Sequence, residues 1–224
     1  MIINIKCMQF MIIKGWEAEY MECNKGCQIC FKDSSDFFIN AFVVSLSPVL
    51  CGVKPIHLFS LKKSDTARGE KLSKIDYFFS NCDRISYRIF ECSDESIKVI
   101  FYNKTALDGA LSEHKNLNFL KSHGYPMDYS VDSYLEHLIS KIKAGVDAHE
   151  MGIFFGYPLK DVMGFMGHPK LRFTKMTGWK VYGDPKKSDE VYKRHVVARE
   201  QFSYMLRLKP AELLIKEGFI LKSA

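Results

Sequence analysis

The sequence predicts an α+β fold: a small, mainly antiparallel sheet of about four strands covered by helices, with a long helix near the C-terminal end. Three observations predict it. Arg84 to Cys92 and Ser96 to Tyr102 are neighbouring β-rich runs joined by the turn SDES, which reads as an antiparallel pair. Helical patterns then crowd between Thr105 and Lys143 without the regular strand-helix alternation of a parallel sheet. Pro185 to about Leu208 carries Val191, Tyr192, His195, Ala198, Phe202 and Met205 or Leu206 at helical spacing.

Taken in order, residues 1–33 read as a cysteine-containing appendage and residues 34–224 as one domain. FFINAFVVSL, with Ser34, Ser35 or Asp36 as caps, predicts a largely buried helix. Pro48, Gly52 and Pro55 predict a turn-rich connection into an apolar segment at Leu58 to Leu61. A helix is expected over Arg68 to Cys82, and others over Thr105 to His114, Asn116 to Ser122 and Val131 to Lys143, the last capped by Ser130 or Asp132. Met151 to Gly156, six apolar or glycine residues in a row, reads as a short buried strand at the centre of the sheet. Pro158 then opens a helix that Gly167 and Pro169 close. Gly178 to Tyr182 is a further strand, with Trp179 and Val181 on one face and Lys180 and Tyr182 on the other. The four strands expected in the sheet therefore lie near 84–92, 96–102, 151–156 and 178–182.

Composition narrows the function. The 224 residues are 47% hydrophobic and 26% charged, an ordinary globular balance, and the formal charge of +6 is not gathered into a basic block. That argues against a nucleic-acid partner. No run reaches the ~18 apolar residues of a membrane span, and the apolar opening lacks a secretory cleavage pattern. A cytoplasmic protein without membrane contact is expected. Seven cysteines without an export signal argue for free thiols or a metal site rather than disulfides.

Four candidate sites follow from residue chemistry. Cys23, Cys27 and Cys30 have the C-x3-C-x2-C spacing that can hold an iron-sulfur cluster or zinc, with Cys7 as a fourth ligand. The aromatic expected before the third cysteine is Ile29, and no barrel of strand-helix units follows, so incidental thiols are the competing reading. His149 and Glu150 could act as acid and base with Tyr157 or Tyr102, or as metal ligands, although neighbours on an extended chain point apart. The competing reading is structural: a histidine bonded to a loop and a carboxylate paired with a lysine. Trp179, Lys180 and Tyr182 suit a flat or anionic ligand such as a nucleotide or flavin, against core packing of the indole. Lys54, held between Gly52 and Pro55, could present its ammonium to an anion and meet Tyr102 and Tyr157 in a phenol-lysine pocket. No phosphate loop, dinucleotide fingerprint, H-E-x-x-H motif or nucleophile elbow is present, so no cofactor is specified.

SPVLCGVKPIHLFSL, YFFSNCD, VIFYNK, HGYP, HEMGIFFGYPLKDVMGF and GWKVYGD together resemble a clostridial family classed as domain of unknown function 3793. The similarity covers roughly Ser35 to Tyr204, and HEMGIFFGYPLKDV followed by GWKVYGD is its most specific part. The resemblance implies a cytoplasmic protein of an anaerobic bacterium of the Firmicutes, tilted towards redox or iron metabolism. It assigns no activity to any residue, and the N-terminal cysteines fall outside its pattern.

The expected function is thus a non-catalytic ligand-binding or partner-binding protein, its partner a small molecule or another protein, linked to redox or iron metabolism. An enzyme using His149 and Glu150 is the alternative, and an iron-sulfur or zinc protein a further one.

Overall fold

A computed structural model describes residues 37–92, 95–146 and 148–217, together with two short paired strands, β1 (Ile13–Lys14) and β2 (Glu17–Ala18). Helix α1 (Phe37–Leu50) is apolar around most of its circumference, and Ile39, Phe42, Val43, Leu46, Val49 and Leu50 are all buried. It runs through Pro48 instead of stopping there, which corrects the expected turn. The reason is local: proline has no N–H for the carbonyl of Val44, and the Ser47 hydroxyl donates to that oxygen at 2.7 Å in its place. The chain then turns sharply, with the N–H groups of Val53 and Lys54 both donating to the Pro48 carbonyl at 2.9 and 3.0 Å.

Strand β3 (Ile56–Lys62) follows, then α2 (Arg68–Phe79), β4 (Ser86–Glu91) and β5 (Ser96–Tyr102). The main sheet has the order β3-β5-β4, antiparallel throughout, with Ile56 opposite Tyr102 and Ser86 opposite the same residue on the other side. Every residue of β5 is buried because both faces are covered. Ile97, Val99 and Phe101 point into a core shared with α1, α2 and the C-terminal helices, while Ile100 and Tyr102 point into the core of the middle helices. In the first of these cores Phe42 is ringed by Phe38, Phe59, Phe79 and Phe101, all with centroids within 6.0 Å.

The middle helices are α3 (Lys104–Ser112), α4 (His114–Ser122) and α5 (Val131–Lys143). Helix α5 starts from a capping box in which Ser130 and Ser133 bond each other's backbone N–H. Next comes the clearest correction to the expected fold. Met151–Phe154 is not the central strand but a single helical turn, α6, followed by α7 (Leu159–Phe165). The apolar run bonds its own backbone, Phe155 N–H to Met151 O and Tyr157 N–H to Gly152 O, so it needs no partner strand to be buried. The sheet centre is β5 instead.

Strands β6 (Phe173–Met176) and β7 (Lys180–Tyr182) form a separate two-stranded hairpin, so the strand expected near 178–182 also lies outside the main sheet. Its facing is as expected, with Trp179 and Val181 buried and Lys180 exposed. Helix α8 (Lys186–Met205) is entered through Pro185 and packs along α1, and α9 (Ala211–Glu217) ends the described chain. The Arg84 guanidinium donates to the carbonyls of Leu214 and Ile215, tying α9 to the start of β4. Among the described residues no helix is long and apolar enough to cross a membrane.

Candidate functional site

Four segments converge beside the C-terminal end of α1. The turn after α1 brings Lys54 and β3 brings His57. The α6–α7 turn brings Phe155 and Tyr157, and α8 brings Tyr192, His195 and Arg199, spaced three and four residues apart on one helical face. Lys54 Nζ lies 5.0 Å from the centroid of the Phe155 ring. The Tyr157 ring stacks on Trp179 with centroids 4.3 Å apart and planes 16° from parallel. Tyr192 and His195 each place a ring 6.1 Å from Trp179, and His195 Nε2 lies 3.3 Å from the Val53 carbonyl. The α6–α7 turn can approach so closely because residue 156 is glycine. Its φ is +78°, and a Cβ there would sit 2.7 Å from Pro55 Cδ.

The electrostatics of this cluster are one-sided. Lys54, His57 and His195 are only 9%, 6% and 3% exposed. Among the described residues no carboxylate forms an ion pair with Lys54 or Arg199. Burial, reinforced by the Arg199 charge, lowers the Lys54 ammonium to about 7. Burial and then the Lys54 and Arg199 charges hold His195 down to about 3, and the same causes in the same order keep His57 well below its ordinary value. Arg199 is itself lowered by burial, and the groups that act in the opposite direction are the phenols of Tyr192 and Tyr157. The buried Nε2 of His57 and the Nε of Arg199 have no hydrogen-bond partner among the described residues. An arginine, a lysine poised near neutrality and two neutral imidazoles thus share one cluster without an anion among the described residues, an arrangement that leaves the desolvation of the charges without a counter-ion.

Trp179 is fixed from the other side by Asp161, a buried carboxylate with every partner in place. Its oxygens accept from Trp179 Nε1 at 2.9 Å, Ser188 Oγ at 2.6 Å, Tyr182 N–H at 2.9 Å and Lys160 Nζ at 2.6 Å. Because that network is satisfied, it positions the wall of the cluster and has no open valence of its own.

The structure brings Lys54, Tyr157 and Trp179 of the sequence candidates into this one neighbourhood and sends the others elsewhere. Tyr102 instead partners Arg88. His149 and Glu150 have separate partners. The Glu150 carboxylate is buried against Lys141 and the Tyr125 hydroxyl, whereas the His149 ring meets Phe165 edge-on at 5.4 Å. Lys180 lies over the same Phe165 ring, its Nζ 5.5 Å from the centroid, and Tyr182 is half-buried over Gly164 beside Phe173. Cys7, Cys23, Cys27 and Cys30 lie outside the described residues. Of the described cysteines, Cys51 and Cys82 are free thiols, and burial pushes the Cys51 thiol up to about 11, against the pull of Arg84. Among the described residues no group of three histidines, cysteines or carboxylates could hold a metal ion.

Sequence reasoning missed His57, His195 and Arg199 as site residues. The available signal was a histidine and an arginine one turn apart on the α8 face that also carries Val191, Ala198 and Phe202. Neither the curated proteins nor the solved structures include a match to this sequence. Residues 42–213, which span α1 to α9 and the whole cluster, match the family described as Protein of unknown function (DUF3793), and the chain therefore belongs to that family.

Proposed function

We propose that the protein is a non-catalytic binding protein for a small, compact anion, taken up at the cluster of Lys54 and Arg199. The observation that carries this reading is a buried lysine and a half-buried arginine with no carboxylate paired to either among the described residues, together with two orphaned nitrogens able to meet an acceptor. An anion there would supply the missing counter-charge and hydrogen-bond acceptors together. A flat nucleotide or flavin fits less well, because the Trp179 face it would stack on is covered by Tyr157. The expected tie to redox or iron metabolism enters as a setting for the ligand, and nothing in the chemistry of the cluster selects it. A cytoplasmic setting is in keeping with the free thiols of Cys51 and Cys82.

Thermal unfolding in decarbonated buffer, with phosphate, sulfate, nitrate and citrate titrated at constant ionic strength, tests the reading. A bound ligand stabilises the native state by RT ln(1 + [L]/Kd), about 2.7 kcal/mol at a hundredfold excess over Kd. The expected result is a saturable rise in Tm with at least one anion, lost in Arg199→Gln. General salting effects do not saturate and survive the substitution. Absence of any saturable shift, or its persistence in Arg199→Gln, would remove the proposal.

A further inference from the structure

The anion that completes the cluster need not arrive from outside as an ion. We propose that the Lys54 amine is a site of reversible carbamylation by carbon dioxide, the carbamate so formed being an anion that the cluster holds. This rests on the reading of the cluster as an anion site and names the chemistry by which the chain makes one.

Three features of the structure carry the inference. The first is placement. Lys54 is held at its backbone by the bond from its N–H to the Pro48 carbonyl, the following Pro55 packs against Gly156, and the amine lies 5.0 Å from the Phe155 ring centroid. The second is charge. With both histidines neutral the cluster holds the Arg199 charge and a Lys54 amine poised between its charged and free forms near neutral pH, and no negative charge among the described residues. Conversion of the ammonium to a carbamate leaves one of each sign and removes the mutual repulsion. The third is acceptor demand: Arg199 Nε–H, and His57 Nε2 in its N–H tautomer, are buried without acceptors, and a carbamate has two oxygens to offer.

The step balances without an oxidant or reductant. The lone pair of the free amine forms an N–C bond to the carbon of carbon dioxide, and one C=O electron pair moves onto oxygen. A nitrogen proton leaves to water, so R–NH2 and CO2 give R–NH–COO⁻ and H⁺. Burial and the Arg199 charge supply the free amine at neutral pH, as the lowered ammonium indicates. Carbon dioxide is small and uncharged, so it can reach a buried amine without itself being desolvated as an ion.

The test uses the whole chain equilibrated with ¹³C-labelled carbon dioxide and bicarbonate. Carbamate is read by ¹³C NMR, and its position by trapping with triethyloxonium followed by peptide mass spectrometry. The expected result is one protein-bound carbamate signal, discharged by sparging with argon, and a trapped adduct on the peptide carrying Lys54. A folded wild-type protein with no carbamate signal, or with adducts confined to other lysines, would overturn the proposal. Loss of the signal in Lys54→Met supports it, and where that variant fails to fold the wild-type mapping decides alone. The outcome is separable from that of the binding reading. A saturable Tm shift with phosphate in decarbonated buffer but no adduct leaves anion binding standing and carbamylation refuted, whereas an adduct without any such shift does the reverse.

Discussion

The indole N–H of Trp179 donates to Oδ2 of Asp161 at 2.9 Å, and this bond joins the wall of the cationic cluster to the start of α8, where Ser188 donates to the same oxygen. Removal of the carboxylate by Asp161→Ala leaves the Lys160 ammonium, the indole N–H and the Ser188 hydroxyl without their shared acceptor. A loss of about 3–5 kcal/mol is expected in urea unfolding, because one partner of a buried charged network has been deleted. Asp161→Asn keeps one acceptor oxygen and should lose less. Equal stability of Asp161→Ala and wild type would show that the network contributes nothing.

Glycines in two helices should respond in opposite directions to the same change. In α3, Gly109 has nothing within 4 Å of where a Cβ would be, so Gly109→Ala should stabilise by about 0.5–1 kcal/mol through helix propensity. In α7, a Cβ on Gly164 would overlap the Tyr182 ring, which is backed by the β7 hairpin. Gly164→Ala should therefore destabilise by about 1–3 kcal/mol despite the same gain in propensity. Thermal unfolding of the two variants side by side checks the contrast, which disappears if the hairpin can shift freely.

The Ser47 hydroxyl stands in for the amide that Pro48 lacks, and a double-mutant cycle isolates that role. Ser47→Ala should cost about 1–2 kcal/mol, since the Val44 carbonyl loses its donor inside a buried helix. In the Pro48→Ala background the new N–H at position 48 can reach that carbonyl, and the cost of Ser47→Ala should shrink to a few tenths of a kcal/mol. Additive costs across the cycle would refute the substitution of one donor for the other.

Stability should depend on pH through the cluster, and the sign follows from two lowered values. Lys54 titrates near 10.5 when exposed and at about 7 when folded. Between those values the unfolded chain holds a proton that the folded chain has released, so in decarbonated buffer stability rises with pH, by up to ~1.4 kcal/mol per unit from this residue. His195, at about 3 when folded against 6.5 when exposed, acts on the acid side. There the unfolded imidazole takes up a proton the folded one refuses, so stability falls as pH drops through that window. The difference between Lys54→Met and wild type should accordingly be largest at and below neutral pH and fade towards pH 10.5. A difference that does not change with pH would contradict the buried ammonium.

Much of this fold was written in local patterns. The β-branched and aromatic run SIKVIFY and the capping serine before VDSYLEHLISKIK place β5 and α5 within the boundaries that the structure shows, and Trp179 and Val181 face inwards as period-two reasoning requires. Met151 to Gly156 defeated the same reasoning because six apolar or glycine residues in a row have no period, so a buried helical turn and a buried strand look alike. Strand β6 was invisible for the opposite reason, since three of the four residues of FTKM are exposed and no apolar face marks it. For the cluster, Lys54 and Tyr157 could be suspected from their turns. Arg199 and His195 offered only their spacing of one turn, whose significance depends on which residues α8 meets.

That last dependence has a consequence for the order in which the chain is made. Val53 and His195 are 142 positions apart, and Phe202, Leu206, Leu214 and Ile215 complete the core that α1 and β5 begin. During vectorial synthesis the first helix leaves the ribosome long before the segment that covers it, and its apolar face has no native shelter in the interval. Arg84 likewise waits 130 residues for the carbonyl of Leu214. The core under α1 therefore cannot close until the C-terminal helices have been made, and the cationic cluster needs nearly the whole described chain to be present.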